Sequence, residues 1–346
     1  MNNFIKVAVL GCTGYTGLEL VYILSKHPRI SINFLGSESH SGKSISLFDK
    51  RLNKELLPNL RSLDKINYSE VDIVFSALPH NVSQHLIKDN IGKSKFIDLS
   101  ADFRLNNPET YKKNYGNEHI CPQLLSKFIY GLPEINYSLI KQANNIAVPG
   151  CYPTSVLLPL IPLFKDNLIF GENIIIDSKS GYSGAGKNFN INKIIKNKMM
   201  NFYNYNTKSH RHISEIQQEL EKVSKLNIKF SFNPHILPIF RGIFSTIYCD
   251  LNNNISKGNV VECLKNFFSN KHFVKILNDE DKADFYTIGN TNNCLIKIFD
   301  HYDETKIIIV SVIDNLLKGA SGQAVQSMNI MSGLNENIGL DNLNCD

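Results

Sequence analysis

The chain has 346 residues, of which 42% are hydrophobic and 20% charged, and a formal net charge of +5. That length is too great for one small core and fits two folded domains, and the ordinary balance leaves no case for disorder, a collagen repeat or a coiled coil. Lysines scattered through the loops argue against a nucleic-acid partner. Apolar runs such as Ile307 to Ile313 fall far short of the roughly 18 residues of a membrane span.

The first predicted element is a strand over Phe4 to Leu10. It runs into the turn Gly11-Cys12-Thr13-Gly14-Tyr15-Thr16-Gly17, after which Leu18, Leu20, Val21 and Leu24 recur at helical spacing. Further strands are predicted over Ile30 to Leu35, Val71 to Ala77 and Lys95 to Leu99, with a helical pattern from Val82 to Lys88. Strands alternating with helices predict an α/β fold, a Rossmann-type doubly wound parallel sheet with right-handed crossovers. After Cys151 the pattern changes. Asn173 to Ser178, Asn227 to Ser231, Ile243 to Leu251, Asn293 to Phe299 and Lys306 to Val312 read as strands, with helices at Ile213 to Leu226 and Val260 to Ser269. The expected organisation is a nucleotide-binding domain over 1–150, completed by 314–346 with a helix at Ala320 to Met331, and an α+β catalytic domain over 151–313.

The glycine turn lets the backbone approach a pyrophosphate while the next helix presents its free N–H groups, so Gly11, Thr13, Gly14, Tyr15, Thr16 and Gly17 are candidate cofactor contacts. The spacing is G-x-x-G-x-x-G, and any tight strand-to-helix turn would also satisfy it. Cofactor choice is read after the second strand. There Ser37, Ser39, Ser41 and Lys43 suit a 2′-phosphate and favour NADP(H), while Glu38 opposes it. Ser76, at the end of the third strand, and Pro79, just beyond it, lie where a cofactor would pass, as does His80.

Seven cysteines, Cys12, Cys121, Cys151, Cys249, Cys263, Cys294 and Cys345, form an odd set with no C-x-x-C pair. That argues against disulfides and against a structural zinc, so no metal is expected and a reducing cytoplasm is the expected setting. One cysteine stands apart. Cys151, in Pro149-Gly150-Cys151-Tyr152-Pro153-Thr154-Ser155, lies between a turn and a strongly apolar run, where helix N-terminal amides would stabilise a thiolate. Thr154 and Ser155 are expected to satisfy the first-turn amides. An acid–base partner is available in Ser209-His210-Arg211-His212-Ile213-Ser214-Glu215, and residues two apart cannot both face one thiol. Cysteine with histidine alone would also serve a thiol acyltransferase or hydrolase, which has no need of the glycine turn.

Taken in order, the glycine turn, Asp98 to Arg104, Tyr130 to Glu134, the cysteine motif, Ser180-Gly181-Tyr182-Ser183-Gly184-Ala185-Gly186 and His210-Arg211-His212 resemble the N-acetyl-γ-glutamyl-phosphate reductases. These are relatives of aspartate-semialdehyde dehydrogenase in arginine biosynthesis. The resemblance implies NADPH-dependent reduction of an acyl phosphate to an aldehyde with release of phosphate, and Cys151 as the nucleophile that carries the thioester. His212 is then the expected acid–base, with His210 as the other candidate. An anionic substrate, N-acetylglutamyl phosphate, points to Arg104, Ser180, Lys187, Arg211 and Arg241 as its contacts. Asn315, Lys318 and Gly319 resemble the family's stretch that returns to the cofactor near the nicotinamide, and Ser183 and Gly184 are further candidate cofactor contacts. The likeness also implies a homo-oligomer formed through the second domain's sheet. Two departures are Glu38, where the family often has arginine, and Ser214, where proline is common. Aspartyl phosphate and N-acetyl-aminoadipyl phosphate are the neighbouring substrates.

Overall fold

The computed structural model describes residues 4–53, 56–341 and 343, and the chain divides into two compact units, Met1–Pro149 with Ala320–Asp346, and Gly150–Gly319. Among the described residues no helix is long and apolar enough to cross a membrane.

The first unit is built on seven strands: β1 (Ile5–Leu10), β2 (Ile30–Gly36), β3 (Leu60–Arg61), β4 (Ile73–Ser76), β5 (Lys95–Asp98), β6 (Ile129–Tyr130) and β7 (Asn145–Ala147). They pair in parallel in the order β3-β2-β1-β4-β5-β7-β6. A central parallel strand is covered on both faces, which explains the unbroken apolar run Val7, Ala8, Val9 and Leu10, each fully buried. The order reverses between β2-β1 and β1-β4, so the turn after β1 sits at the switch point where doubly wound sheets open a ligand crevice. Helices α1 (Tyr15–Ser25), α2 (Val82–Asn90), α3 (Pro108–Tyr115) and α4 (Pro133–Gln142) belong to the same unit. The predicted helix from Ala320 to Met331 opens as a π-helical turn over Leu317–Ser321 and becomes α-helical over Gly322–Met331. That C-terminal helix is buried along its whole length, and two of its polar residues are tied to the rest of the unit: Gln326 donates to Glu134 at 2.9 Å and Asn329 Oδ1 meets His27 Nε2 at 3.0 Å.

The second unit opens with α5 (Cys151–Lys165), followed by β8 (Ile174–Gly181), β9 (Ile195–Lys196), β10 (Met199–Met200), β11 (Tyr203–Asn204), α6 (His212–Ser224), β12 (Phe230–Leu237) and β13 (Ile243–Asp250). It closes with α7 (Lys257–Phe268), β14 (Val274–Ile276), α8 (Phe285–Ile288), β15 (Cys294–Asp300) and β16 (Lys306–Ile313). Its seven-stranded sheet is mixed, in the order β11-β12-β8-β13-β16-β15-β14. Alternation sorts the isoleucines. Ile176, Ile247, Ile309 and Ile298 align across four strands and are 0 to 2% exposed. One residue along, Ile175, Tyr248, Ile308 and Phe299 align on the opposite face, where Ile175 is 49% exposed and Phe299 39%. Helix α5 packs on α6 and α7 and against β13 and β16, so every residue from Tyr152 to Phe164 is buried.

One element departs from expectation. The strand expected at Asn227 to Ser231 runs instead over Phe230–Leu237, through Pro234. Proline suppresses a strand prediction because it lacks a ladder donor, yet here β11 covers only His235 and Ile236 on the outer side.

Candidate active site

Cys151 is the first residue of α5, and Gly150 caps that helix with no side-chain hydrogen bond. Thr154 and Ser155 do not supply the cap expected of them. Their hydroxyls donate backwards, to the carbonyls of Gly150 at 3.1 Å and Tyr152 at 2.9 Å, which leaves the positive end of the helix beside the thiol. Ser155 also joins a chain of hydroxyls, with Ser155 to Ser245 at 2.8 Å and Ser245 to Ser178 at 2.7 Å, that pins α5 to β13 and β8. Among the described cysteines Cys151 alone is partly exposed. Burial pushes Cys121 up to about 11 and Cys12 and Cys263 up to about 12, and raises Cys249 further, so none of those four forms a thiolate near neutral pH. Cys345 lies outside the described residues.

The two histidines have different surroundings. Nε2, Cδ2 and Cε1 of His212 lie 2.4 to 2.8 Å from where a Cβ on Gly150 would stand, so its imidazole fills the place of the side chain preceding the nucleophile. The Nδ1 of His210 accepts the backbone N–H of His212 at 3.2 Å. Its ring lies edge-on among Tyr152, Tyr205 and Phe232, at centroid separations of 5.3 to 5.5 Å. Desolvation, with the Arg211 charge adding to it, pushes the His210 imidazole from 6.5 down to about 4. His210 is therefore neutral at pH 7 and fixes the first turn of α6.

That depression carries a sign for stability. Above pH 6.5 the ring is neutral in both folded and unfolded chains. As pH falls from 6.5 towards 4 the unfolded chain gains a proton that the fold refuses, and stability falls. Asp98 works in the opposite sense. Burial, with Asp102 nearby, raises it from 3.8 to about 6, so its contribution is present below pH 3.8 and lost as pH rises through 6. In urea denaturation between pH 7 and pH 4, His210→Gln is expected to lose up to about 3 kcal/mol less than wild type. Superimposable acid limbs would contradict this.

Several other predicted residues lie in the second unit, and one of them closely approaches Cys151. A Cβ on Gly319 would stand 2.8 Å from the Cβ of Cys151, so only glycine lets the π-helical turn pass so close. Asn315 donates to the Ser183 hydroxyl at 2.9 Å and accepts the Gly242 N–H at 2.7 Å. A Cβ on Gly184 would sit 3.1 Å from Ser180 Oγ. Arg241 faces the fully buried Asp314, with Nε 2.7 Å from Oδ2 and Nη2 donating to Oδ1 at 2.9 Å. Lys318 is fully buried, its ammonium 5.7 Å from the Phe273 ring centroid. Lys187 and Arg211 are exposed on the loop after β8 and at the start of α6.

In the first unit the glycine turn fits a nucleotide. Gly11 has φ +74°, and a Cβ there would come within 2.5 Å of the Ala77 carbonyl oxygen; one on Gly17 would come within 2.3 Å of the Gly11 oxygen. Gly14 caps α1 without a side-chain bond, and no acidic residue occupies its first turn, which leaves amides for a pyrophosphate. The hydroxyls of Thr13 and Ser37 meet at 3.4 Å. Glu38 Oε1 accepts the Leu63 N–H at 2.7 Å, and Ser39, Ser41 and Lys43 are exposed. Ser76 is buried and hydrogen-bonded to Ser83 at 2.8 Å, which in turn donates to Asp98. Pro79 is exposed, and His80 packs at 5.4 Å from the Tyr115 ring. Arg104 lies in this unit too, donating to the carbonyls of Val148 at 2.8 Å and Leu99 at 2.9 Å.

Two residues escaped the sequence reading. Glu215, 1% exposed, accepts the Gly150 N–H at 2.8 Å and so ties α6 to the residue before the thiol. Its place in the first turn of a helix suggests only a dipole role. Asp314 accepts the amides of Leu316 and Asn290 as well as Arg241, a hub that no local pattern announces.

Comparison with known proteins is extensive. Residues 6–143 match the family described as semialdehyde dehydrogenase, NAD binding domain, and residues 151–315 match semialdehyde dehydrogenase, dimerisation domain. A relative named N-acetyl-gamma-glutamyl-phosphate reductase in Ehrlichia chaffeensis is 42% identical, with 99% of each chain covered. The Clostridium beijerinckii protein of the same name is 39% identical over 97% of this chain and 98% of its own. In Arabidopsis thaliana a probable chloroplastic N-acetyl-gamma-glutamyl-phosphate reductase is 40% identical over 97% of this chain and 84% of its own. Among solved structures, aspartate semialdehyde dehydrogenase II of Vibrio cholerae complexed with ASA superposes with a TM-score of 0.74 at 17% identity, covering 96% of this chain and 99% of that one. Aspartate semialdehyde dehydrogenase with NADP from Candida albicans gives 0.68 at 18% identity, covering 97% and 100%. At such identities the superpositions speak to the fold.

Proposed function

Since the chain belongs to the semialdehyde dehydrogenase family and, within it, to the N-acetyl-γ-glutamyl-phosphate reductases, we propose that Cys151 carries the acyl group while this enzyme reduces N-acetyl-L-glutamyl 5-phosphate to the 5-semialdehyde in arginine biosynthesis. The observation that carries this reading is a partly exposed thiol at the uncapped start of α5, with the His212 ring packed on the preceding glycine.

The thiolate attacks the acyl carbon, the C–O bond to phosphate breaks, and a thioester remains. NADPH, when bound, supplies the hydride that reduces that thioester. The oxyanion formed at each addition develops beside the first-turn amides of α5, which need no reorganisation to receive it. His212 protonates the thiohemiacetal oxygen as it forms and takes that proton back as the C–S bond breaks, releasing aldehyde and restoring the thiolate. Glu215, through the Gly150 N–H, and His210, through the His212 N–H, hold these two groups in place. For the substrate's phosphate and carboxylate we assign Ser180, Lys187, Arg211, Arg241 and Arg104, with Arg241 oriented by Asp314.

For the cofactor we assign NADP(H), with Gly11 to Gly17 at the pyrophosphate and Ser37, Ser39 and Lys43 at the 2′-phosphate. Glu38 is no obstacle, because its carboxylate already accepts the Leu63 amide. Lys43→Ala is expected to raise KM for NADPH about tenfold, the weight of one charged hydrogen bond, and to leave KM for NADH alone. Equal turnover with both cofactors in the wild type would remove this phosphate site. We also assign a homo-oligomer built on the sheet face that bears Ile175, Tyr248, Ile308 and Phe299; Ile175→Lys should yield a smaller species in sedimentation, and an unchanged mass would move the interface elsewhere.

The whole reading is tested in reverse. N-acetylglutamate semialdehyde, NADP and phosphate should yield NADPH only when all three are present, and activity with aspartate semialdehyde instead would reassign the substrate.

A further inference from the structure

The parallel sheet of the first unit has a second edge, at the N-terminal ends of its strands, opposite the glycine turn. There a cleft of about 760 Å³ opens among the first residues of β1, β4, β5 and β7. Its walls carry Lys93, Lys95 and Lys127 against the single carboxylate of Asp72, and one oxygen of that carboxylate already accepts the Lys6 N–H at 2.8 Å. None of the three ammonium groups has a carboxylate partner among the described residues. Lys93 donates to Asn90 Oδ1 at 3.0 Å, and Lys95 to the Met331 carbonyl at 3.4 Å. Asn145, at the start of β7, also lines the cleft. It is 7% exposed and gives its Nδ2 to the Lys127 carbonyl at 3.4 Å, while its Oδ1 is buried with no hydrogen-bond partner. A buried amide oxygen left unpaired costs about 1–3 kcal/mol, so a donor arriving with a ligand would recover that cost.

We propose that this cleft binds a small anion that also carries an N–H or O–H donor: the anionic group engages Lys93, Lys95 and Lys127, and the donor reaches Asn145 Oδ1. Two sources share that chemistry, a free amino acid with an acidic side chain and a hydroxylated phosphate ester. The site uses neither Cys151 nor the glycine turn and does not depend on the assigned reaction.

The test is calorimetric titration of the full chain with L-glutamate and, separately, with glycerol 3-phosphate, each repeated on the double variant Lys93→Ala, Lys127→Ala. Both lysines are exposed, and neither has a part in the catalytic assignment, so reductase turnover should be unchanged. Binding of glutamate alone identifies an amino-acid site, and binding of glycerol 3-phosphate alone a phosphate-ester site. In either case the double variant should bind at least about tenfold more weakly. Sulfate, which has no donor, should bind wild type more weakly than the better probe and bind Asn145→Leu about equally well. No heat from either probe up to about 10 mM, where a dissociation constant near 1 mM would be evident, overturns the proposal. So does affinity that the double variant leaves untouched.

Discussion

Cys151→Ser is expected to lower turnover by about 10⁴-fold or more while leaving cofactor affinity unchanged. A serine hydroxyl in that position keeps the size and the helix-end setting but loses the thiol on which the proposed acyl transfer depends, and every later step goes with it. The prediction is discriminating because five other cysteines were described and all are buried; four of them are also held well above the normal thiol range. None can take over. The measurements are the reverse assay for turnover, fluorescence titration for NADPH binding, and mass spectrometry of the enzyme quenched with N-acetylglutamyl phosphate. Wild type should show one acyl adduct on the α5 peptide, and the serine variant none. Turnover of the variant within tenfold of wild type would remove Cys151 from the mechanism.

The second large effect belongs to His212. His212→Asn should reduce turnover by roughly 10² to 10⁴, the range of a general acid–base group, and should flatten the dependence of turnover on pH. His210 provides the contrast. An imidazole that titrates at about 4 inside an aromatic pocket cannot exchange protons efficiently near neutrality, so its loss should act through the placement of α6. His210→Gln retains an acceptor for the His212 amide and is expected to cost less than tenfold, with the pH profile of turnover intact. Gly150→Ala probes the same geometry from the other side, since the added methyl would displace the His212 ring. It should resemble His212→Asn in rate although no titrating group has been removed. If His210→Gln alone abolished the pH dependence, the two roles would be exchanged.

The first unit was easily read because its signals are local. The apolar run before the glycine turn, and the helical spacing after it, state strand, turn and helix within about 20 residues. Short strands such as β3, β6 and β7 carry only two or three residues each and left no pattern to find. In the second unit the isoleucine-rich strands stood out, but Pro234 hid half of β12, since what permits proline there is a partner strand that covers only its far end. The same contrast holds within the site. Cys151 and the two histidines lie in conspicuous stretches of sequence, whereas Glu215 and Asp314 matter through bonds to residues 65 and 73 positions away. Thr154 and Ser155 show the limit of reading a helix start by residue type: a hydroxyl near the first turn can donate to a carbonyl as readily as it accepts from an amide.

The close approach of Gly319 to Cys151 also brings the two ends of the second unit together. Gly150 and Gly319 bound the second unit, so that unit enters and leaves the chain at nearly the same point. A module whose ends already touch can be inserted into a host, or exchanged between relatives, with almost no loop-closure entropy to overcome. Residues 150–319 thus form a unit whose two ends meet at Cys151.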